Sequence, residues 1–152
     1  NQVIWDLPAG RPSGALEVLA NAQTRIILTD LTVQDARHTL RLLREIGDES
    51  SGQHLLLVVN PTRNAGAGLI DRAQFEAFVG RRIDLVLPHV GNVLSQSLLR
   101  GPLSLAGVPA FENALLDLAD LACGRQPAKR SGTPLSIITR LKHALGRPRT
   151  AA

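Results

Sequence analysis

Four short, almost unbroken apolar runs place the strongest constraint on how this chain can fold. They are Val3-Ile4-Trp5-Asp6-Leu7, Ile26-Ile27-Leu28-Thr29, Leu55-Leu56-Leu57-Val58-Val59-Asn60 and Ile83-Asp84-Leu85-Val86-Leu87. A strand with one wet face alternates apolar and polar residues, whereas a strand buried on both faces reads as a continuous apolar run. The segments between the runs have helical period instead. After Ser13, a candidate cap, Ala15, Leu16, Val18, Leu19 and Ala22 form one stripe. Thr32 with Asp35 in a capping-box position opens a helix to about Glu45, which carries Ala36, Leu40, Leu43 and Ile46 on one side and is ended by Gly47. Gln74 follows Asp71 by three residues at the start of a helix to Val79, and two further helices are expected over 91–100 and 109–122. The second of these has Pro109 in its first turn and Gly124 after its end. The resulting β-α-β-α-β-α-β-α-α order predicts an α/β fold with a mostly parallel sheet, helices on both faces and right-handed crossovers.

Charge divides the chain in two. Residues 1–124 hold ten Arg or Lys against thirteen Asp or Glu, a net of −3, while residues 125–152 hold seven basic residues and no acid. The overall net charge of +4 is therefore a property of the tail. Residues 125–133 read as a flexible basic linker, residues 134–146 as an amphipathic basic helix begun by Thr133 and Pro134, and residues 147–152 as a disordered tail. On that helix Ile137, Ile138, Leu141, Ala144 and Leu145 share a stripe, with Arg140 and Lys142 beside it. No run reaches the roughly 18 apolar residues of a membrane span. Cys123 alone cannot build a disulfide framework, and His38, His54, His89 and His143 lack metal-ligand spacing. The chain contains no Met and opens on the edge of an apolar run, so it is expected to be a piece of a longer protein.

In open parallel sheets ligands bind beyond the carboxyl ends of the strands. The groups expected there are Asp6, Thr29 with Asp30, Asn60 through Arg63, and Pro88 with His89. A carboxylate such as Asp6, after a strand and before a Gly/Pro turn, suits orientation of a water or a magnesium ion beside phosphates. An Asp in that place also serves as a turn or cap residue. Asn60 offers the donor and acceptor that recognition of a base edge needs, or an Asx-turn into Pro61. The chain has no G-x-x-x-x-G-K-S/T loop, and Arg63-Asn64-Ala65-Gly66-Ala67-Gly68 lacks the lysine and the spacing to replace it. A G-x-S-x-G elbow is also missing. This chain by itself is not a complete phosphoryl-transfer enzyme.

Several of these stretches, in this order, resemble the second half of MinD/ParA-type ATPases. There, an "apolar strand, Asp, x, Pro, x, Gly" segment is followed by a helix and an "apolar strand, Thr" segment, as in residues 3–10 and 26–31 here. Leu57-Val58-Val59-Asn60 is similar to that family's "VVN" strand, and Ile83 through Pro88 with Gly101-Pro102-Leu103 to its last strand and following turn. Asp30 and Leu31 depart from MinD proper and are similar to the CpaE/TadZ branch, which acts in Flp or tad-type pilus assembly. The resemblance spans residues 2–123 and implies a partial P-loop NTPase-like domain entered downstream of its phosphate loop. It implies that Asp6 is the catalytic and metal-facing acid near Mg-ATP, and that Asn60, Pro88 and Thr29 line the nucleotide site. ATP and Mg2+ would be cofactors of the parent and would not be bound by this piece alone.

The same resemblance places the phosphate-loop strand between the Asp6 strand and the Ile26 strand, so a piece without it would either close up or leave a gap. It further implies a cytoplasmic homodimer that works with pilus or secretion machinery, peripheral at the inner membrane or cell pole. A different expectation is a non-catalytic scaffold or membrane-association module. In that reading Ile137, Ile138, Leu141 and Leu145 meet an anionic membrane surface with Arg140 and Lys142 around them. Nucleic-acid binding is disfavoured by the acidic body and the lack of a reading helix.

Overall fold

The computed structural model describes residues 3–8, 13–47, 49, 52–62, 68–105 and 107–127. Three strands, β1 (Thr24–Thr29), β2 (His54–Val59) and β3 (Leu85–Val86), form one parallel sheet in the order β1-β2-β3. β1 and β2 pair along their whole length, from Thr24 with His54 to Thr29 with Val59, and β2 pairs with β3 at Val58–Leu85 and Val59–Val86. Five helices accompany them: α1 (Ala15–Asn21), α2 (Val33–Ile46), α3 (Arg72–Val79), α4 (Val93–Arg100) and α5 (Pro109–Ala122). The chain is thus α/β with a parallel sheet, as the apolar runs require. No helix among the described residues is long and apolar enough to cross a membrane.

β2 is buried on both faces because successive side chains point to opposite sides. Leu55, Leu57 and Val59 join Ile27, Ala36 of α2, Phe75 and Val79 of α3, and Ile83 in one core cluster. Leu56 and Val58 point the other way and join Leu87, Val108 just before α5, and Phe111 of α5 in a second. Helices therefore cover both faces.

Local chemistry explains where the helices begin and end. Thr32 caps α2 by accepting from the Asp35 N–H at 3.0 Å, and Asp71 caps α3 by accepting from the Gln74 N–H at 2.8 Å. The Gln74 side chain returns a bond to the Asp71 N–H at 3.3 Å, completing a capping box. Gly47 ends α2 at a φ of 70°, in the region that only glycine enters at no steric penalty. Ser13 does not cap α1. Gly14 holds that position at a φ of 87°, without a side-chain bond, and Ala15 is the only residue of this helix that is buried.

Two of the expected strands differ. Residues 3–8 carry no secondary structure, with Ile4 92% and Trp5 66% exposed. An apolar run becomes a strand only where a neighbour takes up its backbone groups, and the described sheet stops at β1. The fourth run is reduced to Leu85–Val86 because side chains replace the ladder over the lower half of β2. The Asp84 carboxylate accepts the Leu57 N–H at 2.7 Å, Glu49 Oε1 accepts the Leu55 N–H at 2.8 Å, and Arg81 donates to the Leu55 carbonyl. Arg81 also pairs with Glu49 at 2.9 Å, although its buried Nε has no hydrogen-bond partner among the described residues. The expected helix over 134–146, with Arg140, Lys142, Ile137, Ile138, Leu141 and Leu145, lies outside the described residues, as does most of the linker.

Two measurements check this account. Phe75 is fully buried between the sheet and its helices. Phe75→Ala is expected to lower unfolding free energy by about 3–5 kcal/mol in urea titrations, whereas Leu99→Ala on the exposed side of α4 leaves it nearly unchanged. The second concerns acid. The Leu55 N–H and then Arg81 hold Glu49 below its ordinary value of 4.5, and the Ile83 N–H and then Arg72 do the same for Glu76. A depressed folded-state value stabilises fully above the ordinary value, and this stabilisation is lost as pH falls through the folded one. Urea midpoints are therefore expected to drop on acidification below 4.5, with a shallower drop in Glu49→Gln.

Candidate functional site

A parallel sheet points all its strand ends one way, and here the carboxyl ends of β1, β2 and β3 deliver Thr29-Asp30, Asn60-Pro61-Thr62 and Leu87-Pro88-His89 to one edge. The register makes this compulsory. Thr29 lies opposite Val59, so the residues that follow each strand emerge side by side. The Asn60 N–H donates to the Thr29 carbonyl at 2.8 Å, and the Leu87 N–H to the Val59 carbonyl at 2.8 Å, carrying the ladder to the last residues.

Asp30 ties this edge together. It is buried, and one carboxylate oxygen accepts the Leu31 N–H at 2.7 Å. The other accepts the Thr62 hydroxyl at 2.6 Å and the Thr62 N–H at 3.1 Å. A buried carboxylate needs such partners, because an ion removed from water without them is strongly disfavoured. The far end of the same loop returns to β1 as well, through the Ile70 N–H to the Leu31 carbonyl at 2.8 Å and an antiparallel bridge between Thr32 and Leu69. The loop from β2 to α3 is thus pinned at both ends to the residues just after β1. On the other side, His89 Nδ1 lies 3.1 Å from the Pro61 carbonyl, linking the ends of β2 and β3.

The sequence-derived site residues separate within this frame. Asn60 is exposed at the end of β2, next in the chain to the residues that make the His89–Pro61 and Asp30–Thr62 contacts, and Pro88 is half-buried beside His89. Thr29 is buried and turned into the body, where its hydroxyl meets that of Thr39 on α2 at 3.0 Å. Asp6 is exposed in the segment without secondary structure and makes no hydrogen bond or ion pair with a described residue. The structure brings Asn60 and Pro88 to one edge and turns Thr29 inward. The sequence offers Asp30 and His89 no role at the site beyond their positions at strand ends. Their partners lie 32 and 28 residues away in the chain, and only the parallel pairing brings such residues together.

Among the described residues no three His, Cys, Asp or Glu side chains gather as metal ligands would. A shallow concavity of about 370 Å³ lies between α4 and the loop after it, lined by Val93, Gln96, Ser97, Arg100 and Ser104 among others, and it includes none of the strand-end groups. The described strands run monotonically from β1 to β3, so the reversal of strand order that marks ligand crevices in open sheets is not formed among them. Comparison of the chain with protein-family models, curated proteins and solved structures finds no match.

Removing the Asp30 carboxylate should test the clamp. Asp30→Ala leaves the Thr62 and Leu31 donors without their acceptor. It is expected to cost about 1–3 kcal/mol of stability and to speed amide exchange at Thr62 and Ile70, read by hydrogen exchange with urea unfolding alongside.

Proposed function

We propose that this chain is part of an ATP-binding protein of the MinD/ParA type, most like the branch that positions or assembles Flp or tad-type pilus or secretion machinery. The reading rests on one observation. Three parallel strands of a sheet covered on both faces present their carboxyl ends together, with an exposed amide, Asn60, next in the chain to the residues of two interstrand contacts. A side-chain amide held on a rigid strand end can donate to and accept from the edge of a purine, and Pro88 offers an apolar edge to its ring. The order of the sequence stretches supplies the family and the pilus assignment.

Magnesium beside a nucleotide keeps several waters and takes one or two protein carboxylates plus phosphate oxygens. Asp6, exposed and without a partner among the described residues, suits that single-carboxylate role, in which the ion would supply charge to the phosphates. Thr29 would act from behind, through its bond to Thr39, by holding the end of β1 against α2. The phosphate-binding part, and with it the homodimer expected of the family, would come from the longer parent protein.

The test is calorimetry with Mg-ATP on that parent. Asn60→Ala is expected to weaken ATP binding about tenfold, the loss of one or two hydrogen bonds to a buried base. Asp6→Ala should act only on the magnesium-dependent part of binding or on turnover. A folded parent that binds no nucleotide would overturn the reading and leave a scaffold with the shape of such a domain.

A further inference from the structure

The two faces of β1 are unequally covered. Arg25, Ile27 and Thr29 are buried toward α2, but on the opposite face Ile26 is 42% and Leu28 61% exposed. Their register partners on β2, Leu56 and Val58, are buried on that same face by the cluster that includes α5. Cover by α5 thus stops short of β1, and two aliphatic side chains of a core strand face outward next to a packed helix. A sheet in this class normally carries helices across both faces.

The path of the chain brings a candidate to this place. The Thr24 hydroxyl donates to the Ala122 carbonyl at 3.1 Å, so α5 ends beside the first residue of β1. Gly124, at a φ of 69°, turns the chain there, where a Cβ would stand 4.0 Å from the His54 ring at the start of β2. Pro127, the last described residue, follows this turn by three positions. Residues 128–133 can span up to about 20 Å. Residues 134–145 would make a helix about 18 Å long, and the six residues of β1 cover about 20 Å. A helix reversing direction after α5 therefore has the reach and the length to lie along β1.

Chemistry agrees with length. As a helix, residues 134–145 would carry one apolar stripe, Ile137, Ile138, Leu141, Ala144 and Leu145, flanked by Arg140 on one side and Lys142 on the other, with no acid. α5, its neighbour in this arrangement, carries Glu112, Asp117 and Asp120 and no base, and Asp120 already pairs with Arg125 at 3.2 Å. We propose that residues 134–145 dock in cis as a helix on the Ile26/Leu28 face of β1, antiparallel to α5, with the apolar stripe against the sheet and one of the two flanking basic residues, Arg140 or Lys142, toward α5. The stripe then acts as the missing cover of the domain, and a short element that is marginal alone folds against the surface that needs it.

Hydrogen exchange on the full chain, without lipid, tests this. Amides of residues 136–145 are expected to exchange at least about tenfold more slowly than an unstructured peptide. The protection should be independent of protein concentration. Leu28→Asp should abolish it while leaving β2 and α5 protected, because Leu28 lies outside both core clusters. Leu99→Asp, an equally polar change on exposed α4, should leave it in place. Coil-like exchange of 136–145 in the unsubstituted chain, or protection that survives Leu28→Asp, would overturn the proposal. Protection that disappears on dilution would assign the surface to a second copy instead. Protection gained only on adding phosphatidylglycerol vesicles would assign the stripe to lipid, and either result sinks docking in cis.

Discussion

The burial of β2 on both faces is the constraint from which the rest of the structure follows. Leu55, Leu57 and Val59 belong to one apolar cluster and Leu56 and Val58 to the other, so a single strand is the common wall of both cores. A helix could not divide its side chains this way, because its period of 3.6 gathers apolar residues on one stripe. Once this strand is central, its neighbours must be parallel, since each connection is a helix that has to return across the sheet. α2 and α3 then close one face and α5 the other.

A central strand must also have its backbone groups satisfied along both edges. On one side β1 does this for the full length of β2. On the other, β3 supplies only two residues, and Asp84, Glu49 and Arg81 complete the edge with side chains. A carboxylate accepting a backbone N–H does the work of a strand carbonyl, but it makes that edge sensitive to protonation, as the depressed value of Glu49 shows. The same device recurs at the carboxyl end, where the Asp30 carboxylate binds the backbone and hydroxyl of Thr62. Polar side chains thus hold both the weak edge of the sheet and the edge proposed to meet a ligand.

The outer side of β1 is where the described fold is incomplete. Its outer edge has no strand partner among the described residues, and Ile26 and Leu28 lack a cover on one face. The exposed apolar run of residues 3–7 shows the same deficit from the other direction. Open edges and uncovered aliphatic patches of this kind are unfavourable in water and promote association, so this side of the molecule is where further polypeptide is most needed.

Much of the fold was legible in the sequence, because its signals are local. Three of the four continuous apolar runs marked strands, of which β2 is buried on both faces. Thr32 with Asp35, Asp71 with Gln74, and the glycines at 47 and 124 placed helix ends to within a residue or two. Asn60 and Pro88 could be assigned to the carboxyl-end edge of the sheet because strand polarity follows from a parallel sheet. Local signals could not show which runs would find partners. Residues 3–7 read as a strand and carry none, since a strand exists only through a neighbour that sequence pattern does not identify. Nor could spacing foresee that Thr29 would turn toward Thr39, or that Asp30 and His89 would reach across to the loop after β2. Those contacts join residues far apart in the chain, and the register of one strand against the next decided them.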